Sequence, residues 1–362
     1  MARRVNESVP EDSEIAPGTR GNGRGAILIA PGTCESTPED ILVGTTTRGE
    51  AHGYNRRRMR ARLLVAISLL AATALRADYR AFKDRPVNPA LTLHLQHAAE
   101  DILKQFPKLK EENLAMTVVD VTMPSAVDRG DYHGDAPFYP ASVVKLFYMA
   151  ETFHQKQESD PEVARALREM IAVSDNDATA FILDVITDTC SGPTLEGRAF
   201  RKFMDKRAVV NRWLKSMDYD VSAMLKPWSF GPFGRDKQAL GGEKLPNRNR
   251  ATSNAVASML LWIVQRHAVS PEASDAMMAL LARPLNPPRQ DENQVKEFIG
   301  EALPPEAKLW SKAGWTSEVR HDAAYIELPS GKKYVMVIFT RGTADDVTLI
   351  PAIAKRLLQD LQ

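Results

Sequence analysis

Three short groups of polar residues could do chemistry in this chain. The first is Ser142-Val143-Val144-Lys145. On a helix, positions i and i+3 share a face, so this spacing lets a serine hydroxyl meet a lysine amine. A serine at a helix N-terminus also faces backbone N–H groups and the positive end of the dipole, which favour a developing oxyanion. A lysine buried beside it loses part of its preference for the charged form and can act as a base. The second group is Ser174-Asp175-Asn176, within MIAVSDNDATAFIL. Ser174 or Asp175 as the N-cap of the following helix accounts for one polar residue, but not for three in a row between apolar helices. The third is Lys312-Ala313-Gly314, where a glycine late in a strand permits close approach of another backbone or a ligand. Ser330 and Lys333 repeat the serine–lysine spacing, but they follow a proline in a turn and read as a hairpin with an exposed lysine.

The elements that must position these groups follow from periodicity and turn signals. Helices are predicted over 88–106, with Leu91, Leu93, Leu95, Ala98 and Ile102 partly periodic, and over 142–154, 161–173, 177–187, 199–217, 252–267, 271–281 and 345–361. Strands are predicted over 114–121, near 129–133, and over 308–311, 322–328 and 334–340. The stretch 218–250 holds Pro, Gly, Trp and Asn with little periodicity, and a loop of that length is usually functional. Strands at both ends with helices between imply one sheet built from both termini and a separate helical lobe.

Together these residues resemble the penicillin-recognising serine hydrolases, specifically the class A β-lactamases, whose signature set is S-x-x-K, S-D-N and K-T-G. FYPASVVK is similar to the family's nucleophile segment and MIAVSDNDATAFIL to its helical-lobe segment. RNRATSNAVASMLLWIV is similar to the helix after its Ω-loop, and WSKAGWTSEVRHDAAYIELPSGKKYVMVIFTRG to its last strands. The resemblance implies an α+β fold of the β-lactamase/transpeptidase type. Its antiparallel sheet is formed from both chain ends, with flanking helices and an all-helical lobe. It implies Ser142 as the acylating nucleophile, Lys145 as its base or electrostatic partner, and Ser174 as a proton relay to the leaving nitrogen. Asn176 would hold a substrate amide, and Lys312 would supply positive potential near a substrate carboxylate. Gly314 lies in the same strand motif, and the N–H groups of Ser142 and Trp315 would form the oxyanion hole. Three features depart from the family pattern. The interval from Ser142 to Ser174 is short, which implies a more open cleft. Ala313 replaces the usual Thr or Ser, with Arg320 near the place of a carboxylate-binding arginine. The E-x-x-x-N of the Ω-loop is matched only by Glu243 to Asn247, which makes Glu243 the candidate base for deacylation, although its setting in GGEKLPNRNR, close to the following helix, favours an exposed loop carboxylate.

Composition limits the alternatives. The chain has 362 residues, 44% hydrophobic and 26% charged, which are ordinary globular values. The formal net charge of +1 provides no basic field for nucleic acid, so none is expected as a partner. Two cysteines, Cys34 and Cys190, are too few for a disulfide framework or a cysteine-based zinc site. No HExxH occurs, and His94 and His97 read as solvated helix positions, so neither metal nor cofactor is expected. The partner expected is a small molecule, a β-lactam or a peptidoglycan-like compound, bound by a monomer. Besides a β-lactamase, a penicillin-binding peptidase or esterase with slow deacylation stays open. So does a non-catalytic cell-wall binding protein on the same fold, against which the intact Ser142, Lys145, Ser174 and Asn176 argue.

Residues 1–55 are rich in Gly, Thr, Pro, Glu and Arg without sustained periodicity and are expected to be a disordered extension. A basic stretch of Arg56, Arg57, Arg58, Arg60 and Arg62 then precedes the uncharged run from Leu63 to Leu75, which contains Ala72-Thr73-Ala74. That order is a signal peptide, expected over 56–77, and the run is too short for the ~20 residues that span a bilayer. A start at Met59 would give an ordinary export signal, so the preceding residues are expected to be dispensable. The hydrolase domain is then 78–362, exported to a bacterial periplasm or secreted. N-terminal sequencing of the exported protein is expected to read from a residue between Leu75 and Asp78; an intact Met1 end recovered from cytosol would contradict export.

Overall fold

The computed structural model describes residues 78–123, 126–227, 231–242, 244–285, 294–359 and 361. The extension and the signal peptide, as well as Glu243, lie outside the described residues. The helices are α1 (Tyr79–Lys83), α2 (Pro89–Gln105), α3 (Lys145–His154), α4 (Pro161–Ala172), α5 (Asn176–Thr187) and α6 (Gly197–Arg207). They continue as α7 (Val209–Ser216), α8 (Gly234–Ala239), α9 (Ser253–Val264), α10 (Pro271–Leu281) and α11 (Leu349–Gln359). The strands are β1 (Leu114–Met123), β2 (Ala126–Tyr132), β3 (Ala282–Arg283), β4 (Lys308–Trp315), β5 (Val319–Glu327) and β6 (Lys333–Arg341). They form one antiparallel sheet in the order β2-β1-β6-β5-β4-β3. As expected, the two ends of the domain meet in it: β1 lies against β6, with Leu114 opposite Thr340.

Both faces of the sheet are covered, so its strands read as continuous apolar runs instead of alternating ones. Leu114, Met116 and Val118 of β1 with Met336 and Ile338 of β6 pack on Leu95, Ala98 and Ile102 of α2 and on Ile350, Ile353 and Leu357 of α11. The intervening residues Ala115, Val119, Val337 and Phe339 face the other way, onto α9 and the helical lobe. Helix α9 is apolar nearly all round and is buried from Ser253 to Ile263, as a helix at the centre of a fold must be.

Some elements differ from the sequence expectation for identifiable reasons. The helix expected over 199–217 is broken at Ala208; Arg212 takes the Asp205 carbonyl at 2.6 Å, one of the groups released there. Within the loop expected over 218–250, α8 forms and buries Asp236. The loop closes on itself through reciprocal Ser222–Arg250 backbone bonds of 2.8 and 2.9 Å. The Asn249 amide accepts from Met224 and Leu225 N–H, both at 3.0 Å, and donates to Leu225 O and Tyr148 Oη, both at 3.0 Å. A buried ion cluster ties this loop to the lobe. Arg207 bonds Asp184 at 3.0 Å and Asp236 at 2.9 Å, and Lys226 bonds Asp184 at 2.5 Å. Leu93 is exposed on α2, and His94 is partly buried with its Nε2 2.9 Å from the Leu357 carbonyl, unlike the solvated position expected of it.

The α9 core should dominate stability. Trp262 is fully buried in the cluster between the sheet and the lobe. Trp262→Ala is expected to cost about 3–5 kcal/mol, the range for truncating a core aromatic, measured by denaturant unfolding; a change within 0.5 kcal/mol would contradict this packing.

Candidate active site

Ser142 lies in a 3₁₀ turn, Ala141–Val144, that runs into α3, so the serine precedes the α-helix instead of opening it. Ala141 has φ of 45°, a left-handed conformation costly for a residue with a Cβ. The turn is held from the sheet. His321 Nδ1 accepts from the Thr340 N–H at 3.1 Å, so its Nε2 carries the proton and donates to the Tyr139 carbonyl at 2.9 Å. Burial pushes its pKa down to about 4, which keeps the ring neutral. Gly314 of β4 abuts the same turn. A Cβ there would lie 2.8 Å from both Ser142 N and Val143 N, so only glycine allows this approach. The Ala313 N–H points away from β5, donating to Gln294 Oε1 at 3.1 Å. Trp315, two residues on, turns its N–H to the same open edge by the alternation of an antiparallel ladder. The Ser142 and Trp315 N–H groups thus belong to abutting backbone segments.

Lys145 is fully buried on α3. Four oxygens surround its Nζ: Ser174 O at 2.6 Å, Asn176 Oδ1 at 3.0 Å, Ser174 Oγ at 3.1 Å and Asp175 O at 3.3 Å. Desolvation lowers its pKa to about 7, against the pull of nearby Asp175. Among the described residues Ser142 Oγ makes no hydrogen bond, so the contact that the i, i+3 spacing allows is not made; Lys145 is turned to the Ser174 side. Ser174 has φ of 61°. Its Oγ also accepts from Lys312 Nζ at 2.9 Å, which brings the amines of lobe and sheet onto one hydroxyl. Lys312 is fully buried and well below its ordinary pKa, by desolvation first and then by the charges of Lys145 and Arg283. Asp322, opposite Ala313 in β5, is pushed up to about 7 by its own burial. Asp175 caps α5 by accepting from Ala178 N–H at 2.6 Å, so capping accounts for the middle residue of the second group and the site for its two neighbours.

The Beta-lactamase2 family model, of the β-lactamase enzyme family, matches residues 154–361. The chain belongs to this family. The match begins after Ser142 and Lys145, so these two residues are tied to the rest by the contacts above. No curated protein matches the chain. Among solved structures it is similar to PBP-A, at 18% identity and a TM-score of 0.53 over 76% of this chain and 98% of that one. The β-lactamase from Streptosporangium roseum is 18% identical, with a TM-score of 0.54 over 74% and 98%. The β-lactamase from Sphaerobacter thermophilus is 18% identical, with 0.53 over 73% and 96%. These likenesses show the β-lactamase fold, in agreement with the α+β architecture expected.

Two residues that the sequence did not single out hold the site together. Gln294, buried before β4, uses its whole amide: Oε1 accepts from Lys312 Nζ at 2.6 Å and from Ala313 N–H, while Nε2 donates to Ile171 O at 3.1 Å and Ala172 O at 2.7 Å. Arg283 donates to the same two carbonyls, at 2.7 and 3.0 Å, and to Ser311 O at 3.0 Å. Both clamp the end of α4, just before Ser174, onto β4. Neither sits in a motif, and their partners lie far along the chain, so the sequence carries no local signal for them. Arg320 is not directed at an open site: it pairs with Glu297 at 3.3 Å and donates to the Ala344 carbonyl at 3.0 Å. Among the described residues no group of three His, Cys, Asp or Glu could hold a metal.

Gly314 offers the sharpest test of this geometry. Gly314→Ala is expected to slow covalent labelling of Ser142 by ~10²-fold or more, the scale of an ångström misplacement of reacting groups. Labelling rates of the variant, with folding checked by circular dichroism, measure it; undiminished labelling would show that β4 does not abut the serine turn.

Proposed function

We propose that this β-lactamase-family chain is a serine hydrolase acylated at Ser142 that opens a β-lactam amide. The observation that carries the reading is the Ser174 hydroxyl shared by two buried amines beside the Ser142 turn. Neutral Lys145 takes the Ser142 proton as Oγ bonds to the substrate carbonyl carbon, and the oxyanion faces the N–H groups of Ser142 and Trp315. When the C–N bond breaks, Ser174 gives its proton to the leaving nitrogen and regains one from the Lys145 ammonium. Asn176, whose Oδ1 already fixes Lys145, presents its amide N–H₂ to a substrate amide. A PBP-A variant, 17% identical with a TM-score of 0.54, was solved as an acyl-enzyme complex with penicillin G, the kind of adduct proposed here.

A second reading, a penicillin-binding peptidase or esterase that deacylates slowly, is favoured by the carboxylates of the loop. Asp218 pairs with Lys83 at 2.9 Å, Asp220 with Arg250 at 2.7 Å, and Asp236 with Arg207 at 2.9 Å. Only the Asp236 pair is buried, the other two lying at the surface, and Glu243 is the fourth acid of the 218–250 loop. General-base help from such an acid in activating water is worth roughly 10²–10⁴-fold.

Intact-mass measurement with a β-lactam is expected to show an adduct on Ser142 that persists through the assay. Ser142→Ala should abolish it and Ser330→Ala should not; an adduct on a peptide lacking Ser142 would refute the assignment. Because the pKa of Lys145 is lowered to about 7 and its neutral form is the base, the acylation rate should rise about tenfold per pH unit below 7 and level off above it. Glu243→Gln should leave turnover nearly unchanged. Fast nitrocefin turnover that collapses in this variant would make the protein an efficient β-lactamase with Glu243 as its base.

A further inference from the structure

The net charge of +1 conceals an uneven distribution. The stretch 196–216, which holds α6 and α7, has seven of the chain's 47 basic residues and only two of its 46 acidic ones. Three of the cations are engaged: Arg207 is buried on Asp184 and Asp236, Lys206 pairs with Asp188, and Arg212 takes Asp205 at 3.1 Å. Arg198, Arg201, Lys202 and Lys215 are exposed and pair with no carboxylate among the described residues. The first three stand at i, i+3 and i+4, on one side of α6. Phe200, Phe203 and Met204 take the other side and pack with Leu225 and Ala239. Like charges at these spacings work against the helix, whereas on other helices Lys104 and Arg356 meet Asp101, and Arg165 meets Glu162. Asp205 shares the outer side of α6, so its pair with Arg212 makes the outer faces of the two helices continuous. Lys215, three residues beyond Arg212, extends that face.

Helix α8 is tied to the start of α6. The Leu195 N–H donates to Gln238 Oε1 at 3.0 Å, and Gln238 Nε2 donates to the Leu195 carbonyl at 2.7 Å. Arg235 Nε donates to the Pro193 carbonyl at 3.1 Å, and its guanidinium lies 6.0 Å from the Phe203 ring. Arg235 thus adds a further cation with no carboxylate partner among the described residues. Phe233 immediately precedes α8 and is 66% exposed, the most exposed large apolar side chain among the described residues. Its neighbour Gly234 lies so close to the Gly192 carbonyl that a Cβ would be 1.9 Å from that oxygen. The backbone of Phe233 therefore stands beside the segment that enters α6.

We propose that the outer face of α6 and α7, with Arg235 and Phe233 at its edge, docks the folded domain on an anionic lipid bilayer. The cations meet headgroup phosphates and the phenyl ring enters the interface. Charge complementarity points to an anionic partner, and the spread of cations over two helices suits an extended surface better than a small ion. The exposed ring favours a bilayer over a soluble polyanion, because only the boundary of headgroups and acyl chains offers charge and apolar surface together. No helix among the described residues is long and apolar enough to cross a membrane, so this contact is peripheral and reversible. It is independent of the chemistry at Ser142.

Sedimentation of the whole protein with vesicles tests it, using phosphatidylcholine alone and phosphatidylcholine mixed with phosphatidylglycerol. Binding is expected only to the mixed vesicles, and it should weaken as salt is raised. Each cation at such a surface is worth about fivefold in partitioning, so the triple variant Arg198→Gln, Arg201→Gln, Lys202→Gln should bind roughly a hundredfold more weakly. Changing Arg198 and Arg201 to Lys instead should keep the binding. Lys202→Gln with Lys215→Gln, on separate helices, should lower it about twentyfold, which decides the matter if the triple variant melts lower than the wild type. Phe233→Ser should weaken binding to mixed vesicles and leave binding to soluble polyphosphate unchanged. Equal binding to both kinds of vesicle overturns the proposal, as does wild-type binding by the glutamine variants. Binding to polyphosphate as tight as to mixed vesicles, with Phe233→Ser without effect on either, also overturns it and identifies a polyanion surface instead.

Discussion

One hydroxyl holds the site together. Ser174 Oγ accepts from Lys145 of the helical lobe and from Lys312 of the sheet, at 3.1 and 2.9 Å. The two amines are therefore no more than about 6 Å apart, where two unit charges repel by roughly 3 kcal/mol at an effective dielectric near 20. Both are also removed from water, so the pair cannot keep two full charges at neutral pH. Lys312 is driven well below its ordinary range, and Lys145, beside the Ser142 turn, is lowered to about 7 by its burial. The same constraint lets the Ser174 hydroxyl reverse direction, accepting from an ammonium or donating to an amine, as a proton relay requires.

This arrangement exists only if lobe and sheet dock in one way. Gly314 lets β4 touch the backbone of the Ser142 turn, and His321 of β5 fixes the carbonyl of Tyr139 just upstream. Gln294 and Arg283 then bind the last carbonyls of α4, which sets where Ser174 can stand. Strands β4 and β5, with the segment before them, thus determine the position of a hydroxyl more than a hundred residues earlier in the sequence. The positive φ of Ala141 and of Ser174 is borne at the two places where these constraints converge.

What the sequence reveals about this site follows the range of each interaction. Ser142, Lys145, Ser174, Asn176, Lys312 and Gly314 were legible because each sits in a short motif with a local context. The strands were legible as apolar runs, although β5 begins at Val319 instead of Asp322, because Arg320 and His321 are polar residues buried by tertiary partners. Gln294, Arg283 and the Arg207–Asp236 pair were not legible. Each is a lone polar residue whose partner lies far away in the chain, and no local spacing encodes such a contact. The break at Ala208 was hidden for the same reason: apolar periodicity continues through it, and Arg212 compensates for the lost helix bonds.

The departures from the family pattern are connected to one another. In the loop, Asp236 is held in a buried pair with Arg207, while Asp218 and Asp220 pair with cations at the surface. At the edge of β4 the reverse holds, and the cation Arg320 is consumed by the protein's own Glu297. In both pairs a largely buried charge is met by a partner from the protein itself. The buried groups around Ser174 are bonded more fully: every polar side-chain atom of Gln294 is spent on Lys312, on the Ala313 N–H and on the end of α4 before the Ser174 turn. The physical asymmetry is therefore between the buried, multiply bonded Lys145, Ser174, Lys312 and Gln294 and the Ser142 hydroxyl beside them, which makes no hydrogen bond among the described residues.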